Sequence, residues 1–171
     1  DDARMWRAFA QSADCPELVA LFDRLLAVPA PRSGPSALVH GDTKLSNLMW
    51  DEGKISAMLD WEMALNGDPL ADLGYMLYGF ESAHHGATTP QRQPGMPARG
   101  EVIALWEQVS GRSAEGVFWH EIAQIGKISA IIAEGANMHV TGRSQDPKLM
   151  HMVKHRAYYL GVMAAMLTDL A

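Results

Sequence analysis

Two short polar segments, each directly after an apolar run, hold the residue types best suited to chemistry. Asp42 follows the apolar run 37–39, and Asn47 comes five residues later. Asp60 follows a second apolar run, which ends at Leu59. A carboxylate and an amide oxygen side by side are hard oxygen ligands that suit Mg²⁺, so Asn47 and Asp60 are candidate metal ligands. Asp42, on the same loop as Asn47, is placed to point at a substrate hydroxyl.

A β-hairpin is predicted to bring Asn47 and Asp60 close together. The runs 48–50 and 55–59 flank the sequence Asp-Glu-Gly-Lys at 51–54, which is typical of a tight turn. Polar side chains at the ends of such strands are held by a rigid element and can be aimed at a ligand. The sequence therefore predicts one small site built on this hairpin.

The elements around the hairpin are predicted to be mostly helical. Run 37–39 is predicted to be a buried strand, and 66–69 a turn in which Asp68 caps the next helix and Pro69 occupies its first turn. The fold class is therefore α+β, a small β element within a mostly helical domain. The residues predicted to face inward from the helix after Pro69 are Leu70, Leu73, Leu77 and Phe80. Further helices are predicted over about 16–28, 100–110, 115–139 and 147–169, with a loop over 82–98.

Composition limits the class of partner. The chain has 171 residues, 48% of them hydrophobic and 20% charged, which is ordinary for one globular domain. The formal net charge of −6 argues against nucleic acid as the main partner, because phosphate contacts need clustered Lys and Arg. The single cysteine excludes an intrachain disulfide and fits a reducing, cytoplasmic location. No apolar run reaches the roughly 20 residues of a membrane span, so no membrane partner is expected.

The spacing of the polar residues resembles that of known phosphotransferases. Asp42-x-x-x-x-Asn47, followed across a hairpin by Asp60, has the spacing of the protein-kinase catalytic loop and its metal-binding Asp. The His-Gly-Asp opening at 40–42 resembles the aminoglycoside phosphotransferase family, which is choline kinase-like and has a protein kinase-like fold.

Two further segments carry the same resemblance. They are Leu-Asp-Trp-Glu at 59–62 and Gly-Asp-Pro-Leu-Ala-Asp-Leu-Gly at 67–74. The likeness is to the broad phosphotransferase enzyme family, whose members include kinase domains similar to those fused to acyl-CoA dehydrogenases. It is specific over about 37–80 and weak elsewhere, and the three ordered motifs together are much more specific than any one of them.

The resemblance implies roles for the three residues of the predicted site. Asp42 would be the catalytic base that orients the acceptor hydroxyl and takes its proton. Asn47 and Asp60 would hold Mg²⁺ against the phosphates of ATP. Phosphoryl transfer needs little covalent help, so positioning and charge neutralisation by such groups supply most of the catalysis.

Three further roles are implied nearby. Lys44 would contact the γ-phosphate and offset its developing charge, with a solvated loop lysine as the alternative. His40 would brace the loop rather than titrate in catalysis. Asp72, early in the helix after Pro69, would accept hydrogen bonds from the main chain of the catalytic loop as structural support.

The family also needs a Gly-rich phosphate-covering loop on a β lobe and a strand lysine, and neither occurs before residue 37. The chain is therefore expected to be a single domain over 1–171, the C-terminal lobe, with a catalytic segment at 37–80 and a helical substrate-side segment at 99–171. The N-terminal lobe of the same parent protein is expected to be absent, through truncation or natural loss. We expect little phosphotransfer by this chain alone, and an exposed apolar surface near the end of strand 37–39.

The function implied is ATP- and Mg²⁺-dependent phosphoryl transfer to a hydroxyl of a small molecule. A non-catalytic nucleotide-binding or regulatory lobe and a helical interaction module are the alternatives. The acceptor stays open, because pocket residues do not follow the family's motifs.

Other polar residues are expected to have ordinary roles. Glu62 is expected to make a structural hydrogen bond rather than reach the metal. Glu121 and Glu134 are expected to be solvated helix charges, with contact to a cationic acceptor as the alternative. The histidine pairs 151/155 and 84/85 lack a third ligand, which argues against a zinc site. The loop over 82–98 is expected to be a linker rather than an acceptor-site lid.

Overall fold

The computed structural model of the chain describes residues 2–80 and 95–170. The six α-helices and four strands in these ranges confirm the α+β class, mostly helical with small antiparallel sheets. The strands are β1 (Ala37–Val39), β2 (Leu48–Asp51), β3 (Lys54–Met58) and β4 (Leu65–Gly67). The helices are α1 (Asp2–Ser12), α2 (Pro16–Leu26), α3 (Leu70–Phe80), α4 (Arg99–Ser110), α5 (Val117–Val140) and α6 (Lys148–Asp169).

The chain divides into two compact units, the first formed by residues 1–30 and 122–171. This unit contains α1, α2, α6 and most of α5. Helices α2 and α5 approach closely at Gly126, where an added Cβ would lie 2.6 Å from the Phe22 ring. Phe22 is fully buried, so the ring occupies space that any larger side chain at 126 would need.

The second unit, residues 31–121, holds both sheets together with α3 and α4. Strands β1 and β4 pair antiparallel, and β2 and β3 form the predicted hairpin with Leu48 opposite Met58. The turn of that hairpin places Glu52 and Gly53 at positive φ. The apolar core of the unit lies between α3, α4 and the start of α5. Its buried residues are Leu70, Leu73, Leu77, Ala114 and Val117.

Helix α3 is fixed at its start and along its length. Asp68 caps it by accepting a hydrogen bond of 3.1 Å from the Leu70 nitrogen, as predicted, and it also accepts bonds from the nitrogen and hydroxyl of Ser33. Burial raises the pKa of Asp68, but the hydrogen bonds from Ser33 and Leu70 outweigh it and leave the pKa below its ordinary value. At Gly74 an added Cβ would lie 2.9 Å from the Glu121 nitrogen, so α3 and the start of α5 are in near backbone contact.

Several local predictions are wrong. Helix α1 and strand β4 were not expected, and residues 66 and 67, predicted as a turn, lie in β4 opposite β1. In β1 only Val39 is buried, while Leu38 is 69% exposed, because β1 has a single partner strand and one covered face. The Phe80 side chain and residues 82–94 of the predicted loop lie outside the described residues.

The expected exposed apolar surface near β1 is present and extends over the hairpin. Its members are Leu38, Leu45, Met49, Trp50, Ile55, Leu59 and Trp61. Within residues 2–80 and 95–170, no helix is long and apolar enough to cross a membrane.

Candidate active site

The loop after β1 turns sharply at Gly41. Its φ of 82° lies in the left-handed region that favours glycine, and an added Cβ would lie 2.5 Å from the Met63 carbonyl oxygen. Glycine between His40 and Asp42 therefore lets this loop pass directly against the main chain that follows β3.

Asp72 holds the same turn from helix α3. Its carboxylate accepts hydrogen bonds from the main-chain nitrogens of His40 (2.7 Å) and Gly41 (2.9 Å). Its carbonyl oxygen accepts a third from the hydroxyl of Thr43 at 3.0 Å. These are the main-chain contacts that the family resemblance implied for Asp72, and they fix the loop to a rigid helix.

His40 joins the two polar segments. Its Nδ1 accepts a hydrogen bond from the Asp42 nitrogen at 3.1 Å, which leaves Nε2 as the protonated nitrogen that donates to the Leu59 carbonyl at 2.8 Å. The network thus assigns His40 a single neutral tautomer. The ring is buried and lies against Trp61, with centroids 4.6 Å apart.

Asp42 is 8% exposed and its carboxylate accepts hydrogen bonds from three side chains. Lys44 Nζ (2.5 Å) and Asn47 Nδ2 (2.8 Å) donate to Oδ2, and the hydroxyl of Tyr75 (2.8 Å) donates to Oδ1. Burial raises the pKa of Asp42, but the hydrogen bonds from Lys44, Tyr75 and Asn47 outweigh it, so the pKa lies below its ordinary value. Asp42 is therefore an anion at neutral pH.

The Asn47 side chain binds Asp42 through its amide nitrogen. Nδ2 donates to both the carbonyl and the carboxylate of Asp42. The amide oxygen Oδ1 accepts no hydrogen bond from the described part of the chain, which leaves it open as a ligand. The Asn47 carbonyl in turn accepts a 2.8 Å bond from the Leu59 nitrogen, one residue before Asp60.

Asp60 is brought to this place through the main chain. It is exposed and has a φ of 66°, a left-handed conformation that is uncommon outside glycine. Its carboxylate makes no hydrogen bond or ion pair with another described residue. Side-chain contacts thus join Asp42, Lys44, Asn47 and Tyr75, whereas Asp60 adjoins them through the hydrogen bond at Leu59.

The oxygen donors in this region are of the chemical type that Mg²⁺ prefers. Asn47 Oδ1 and the Asp60 carboxylate are hard oxygen donors, and Mg²⁺ in nucleotide sites takes few protein ligands and completes its octahedron with water and phosphates. No group of three or more His, Cys, Asp or Glu residues in the described ranges is arranged to hold a metal by itself.

Tyr75 is the member of the site that sequence analysis missed. It lies three residues after Asp72, a spacing that puts both side chains on one face of α3. The spacing from Asp72 could have indicated Tyr75 as a site residue, but only if the Asp72 side chain were already known to face the loop.

Two carboxylates differ from their predicted surroundings. Glu121 is buried and forms a two-fold ion pair with Arg99, with one contact of 2.8 Å, so its prediction as a solvated charge is wrong. Glu62 is exposed and makes no hydrogen bond to another described residue, contrary to expectation. Glu134 is partly exposed and pairs with Arg143 at 2.9 Å.

One of the two histidine pairs lies on α6. His151 and His155 are exposed and their rings stack with centroids 6.2 Å apart. His155 Nδ1 is 2.6 Å from the His151 carbonyl oxygen, as expected for neighbours four apart on a helix. Residues 84 and 85 lie outside the described ranges.

Sequence comparison gives one family and several partial relatives. A model described as the phosphotransferase enzyme family matches residues 1–112. Acyl-CoA dehydrogenase family member 10 of Mus musculus is 36% identical over 74 residues, which is 42% of this chain and 7% of that protein. Acyl-CoA dehydrogenase family member 11 of Gallus gallus is 37% identical over 68 residues, 39% of this chain and 9% of that protein. The chain thus spans less than a tenth of these relatives.

Two solved structures share the fold. One is a protein from Ralstonia eutropha with a provisional aminoglycoside phosphotransferase name, with TM-score 0.83 and 22% identity over 98% of this chain and 54% of that one. The other is a thermostable mutant of aminoglycoside phosphotransferase APH(4)-Ia, in a ternary complex with AMP-PNP and hygromycin B. Its TM-score is 0.52 at 18% identity, over 91% of this chain and 44% of that one.

Proposed function

Because the chain belongs to the phosphotransferase enzyme family, we propose that it is the catalytic lobe of an ATP-dependent small-molecule kinase. The observation that carries this proposal is the Asp42 carboxylate, buried, ionised and held by three donors on a loop that Asp72 fixes to α3. A carboxylate in this state can accept a hydrogen bond from an acceptor hydroxyl and align its oxygen with a phosphorus atom.

The proposed step is a single displacement. The acceptor oxygen forms a bond to the γ-phosphorus of ATP while the bond from that phosphorus to its bridging oxygen breaks, and the bonding pair leaves with ADP. The proton of the acceptor hydroxyl passes to Asp42. The low pKa of Asp42 makes it a weak base, so it orients the hydroxyl first and takes the proton as the oxygen–phosphorus bond forms.

Asn47 and Asp60 are the proposed holders of Mg²⁺, which would supply neutralising charge to the ATP phosphates when bound. Asn47 Oδ1 is the open atom of its amide, and Asp60 is the exposed carboxylate that follows Leu59, whose nitrogen donates to the Asn47 carbonyl. Lys44 is 47% exposed and its ammonium has three N–H donors, so it can contact a phosphate while it still donates to Oδ2 of Asp42.

The acceptor is proposed to be a hydroxylated small molecule. The neighbouring structure that holds an ATP analogue together with hygromycin B supports this class of substrate.

The N-terminal lobe of the parent protein is proposed to cover the exposed apolar residues of β1 and the hairpin, such as Leu38 and Trp50. The 171-residue chain alone is therefore predicted to be nearly inactive.

The test is acceptor-dependent ADP release by the intact parent protein with Mg²⁺-ATP and a panel of hydroxylated small molecules. We expect at least one acceptor to raise ADP release at least tenfold above hydrolysis by water. Asp60→Asn should weaken binding of Mg²⁺-ATP, measured by calorimetry, while binding of ATP without Mg²⁺ is unchanged. A panel in which no acceptor raises ADP release, with a folded protein, would reject the kinase proposal in favour of a non-catalytic lobe.

A further inference from the structure

Tyr75 and Asp72 act on the same loop from one face of helix α3. Asp72 accepts the main-chain N–H groups of His40 and Gly41, and the hydroxyl of Tyr75 donates to Oδ1 of Asp42 at 2.8 Å. The helix therefore contacts both the main chain of the loop and its one buried carboxylate.

The two oxygens of Asp42 differ in how much acceptor capacity they have left. A carboxylate oxygen has about two lone-pair directions. Oδ2 already accepts bonds from Lys44 and Asn47, whereas Oδ1 accepts one bond, from Tyr75, among the described residues. The unused lone pair of Asp42 therefore lies on Oδ1, beside the tyrosine hydroxyl.

We propose that Oδ1 is the oxygen of Asp42 that takes the acceptor proton and that Tyr75 is the positioning residue that aims it. This inference rests on the proposed kinase function and adds to it the oxygen and the group that orients it. The O–H bond of the acceptor breaks toward Oδ1, and Tyr75 keeps its own proton throughout.

The other two donors are less suited to this task. Lys44 is long and half-exposed, and Asn47 is committed to the main chain of the loop as well as to the carboxylate. The two carboxylate oxygens turn together about the Cβ–Cγ bond, so Lys44 and Asn47 help to hold the plane of the carboxylate, but neither bonds to Oδ1. Loss of the Tyr75 hydroxyl removes the sole side-chain bond at Oδ1 from the described residues and so weakens the restraint on the terminal torsion of the carboxylate, which is soft.

The test is Tyr75→Phe in the intact parent protein, with Tyr159→Phe as the matched control. The Tyr159 hydroxyl makes no hydrogen bond to a described residue, and α6 is remote from the catalytic segment in sequence. We expect Tyr75→Phe to lower kcat on the order of tenfold to a hundredfold, with KM for ATP within about twofold. In an Asp42→Asn background the same change should have no further effect on kcat. If Tyr75 had a merely structural role, Tyr75→Phe would lower thermal stability and would lower kcat by the same factor in both backgrounds.

A second readout keeps this inference separate from the proposed function. The structure of the intact Tyr75→Phe variant should show the Asp42 carboxylate turned from its parent orientation, whether or not the protein transfers phosphate. If no acceptor is phosphorylated, the kinase proposal fails while a turned carboxylate still supports positioning by Tyr75. An unturned carboxylate, or full kcat in an active Tyr75→Phe enzyme, would overturn the inference.

Discussion

Asp72 and His40 are joined by a 2.7 Å hydrogen bond from the His40 main-chain nitrogen to the Asp72 carboxylate, across 32 positions of sequence. The same carboxylate accepts the neighbouring N–H of Gly41, so each of its oxygens accepts one hydrogen bond from the main chain of the 40–47 loop. Through these two hydrogen bonds, α3 restricts the movement of the loop that carries Asp42.

Asp72→Asn should lower the free energy of unfolding by about 1–3 kcal/mol. The amide offers an oxygen to one loop N–H but turns its own NH₂ toward the other, which is left without an acceptor. Urea denaturation measures the loss. Asp51→Asn, at an exposed position that ends β2, is the control and should shift the free energy by less than about 0.5 kcal/mol. Equal effects of the two changes would contradict the bracing role.

Gly74→Ala should destabilise the protein by about 1–3 kcal/mol, because the new methyl would meet main-chain atoms of Glu121 and His120, which cannot move as a side chain can. Gly161→Ala is the matched change within α6, where an added Cβ meets nothing within 4 Å. It should stabilise the protein by about 0.5–1 kcal/mol through helix propensity. Thermal unfolding of both variants compares the signs directly, and the same sign in both would contradict the close α3–α5 contact.

Arg99→Met should destabilise the protein by about 3 kcal/mol, since it leaves the buried Glu121 carboxylate without its partner. The double change Arg99→Met and Glu121→Met removes both charges and should cost less than the single one. Urea denaturation of the single and double variants tests this order. A double variant less stable than Arg99→Met would show that the pair itself, rather than an uncompensated charge, dominates.

The stability that Asp68 contributes to the fold should decrease at low pH. Its pKa is lowered in the folded state, so the contribution is complete above the unfolded pKa of about 4 and is lost as pH falls through the folded value. The difference in free energy of unfolding between the parent and Asp68→Asn should be about 1–2 kcal/mol from pH 7 to 5. It should shrink below about pH 4. A difference that stays constant down to pH 3 would contradict the assigned hydrogen bonds.

The conformation of the 40–47 loop could be predicted from sequence because it depends on residues close together in the chain. The five-residue spacing of Asp42 and Asn47, the glycine between His40 and Asp42, and the turn residues of the hairpin each constrain nearby backbone. The structure places these groups as the spacing indicates, with Asp42 and Asn47 in direct contact.

The contacts that were not predicted join residues that are far apart in the sequence. Tyr75 reaches Asp42 across 33 positions, and Arg99 reaches Glu121 across 22, so neither partner is encoded by local spacing. Strand β4 was predicted as a turn from Asn66 and Gly67, yet pairing with β1 overrides their local preference.

The most direct measurement is kcat for phosphotransfer by the intact parent protein and its Asp42→Asn variant, with an acceptor found in the panel. Asn47, Lys44 and Tyr75 still surround the amide, so the fold should persist, as circular dichroism can verify. We predict that kcat falls by a factor of about 10³ with KM for ATP little changed, while Asp51→Asn keeps the parent rate. An Asp42→Asn variant that transfers phosphate at the parent rate would contradict the assignment of Asp42 as the base.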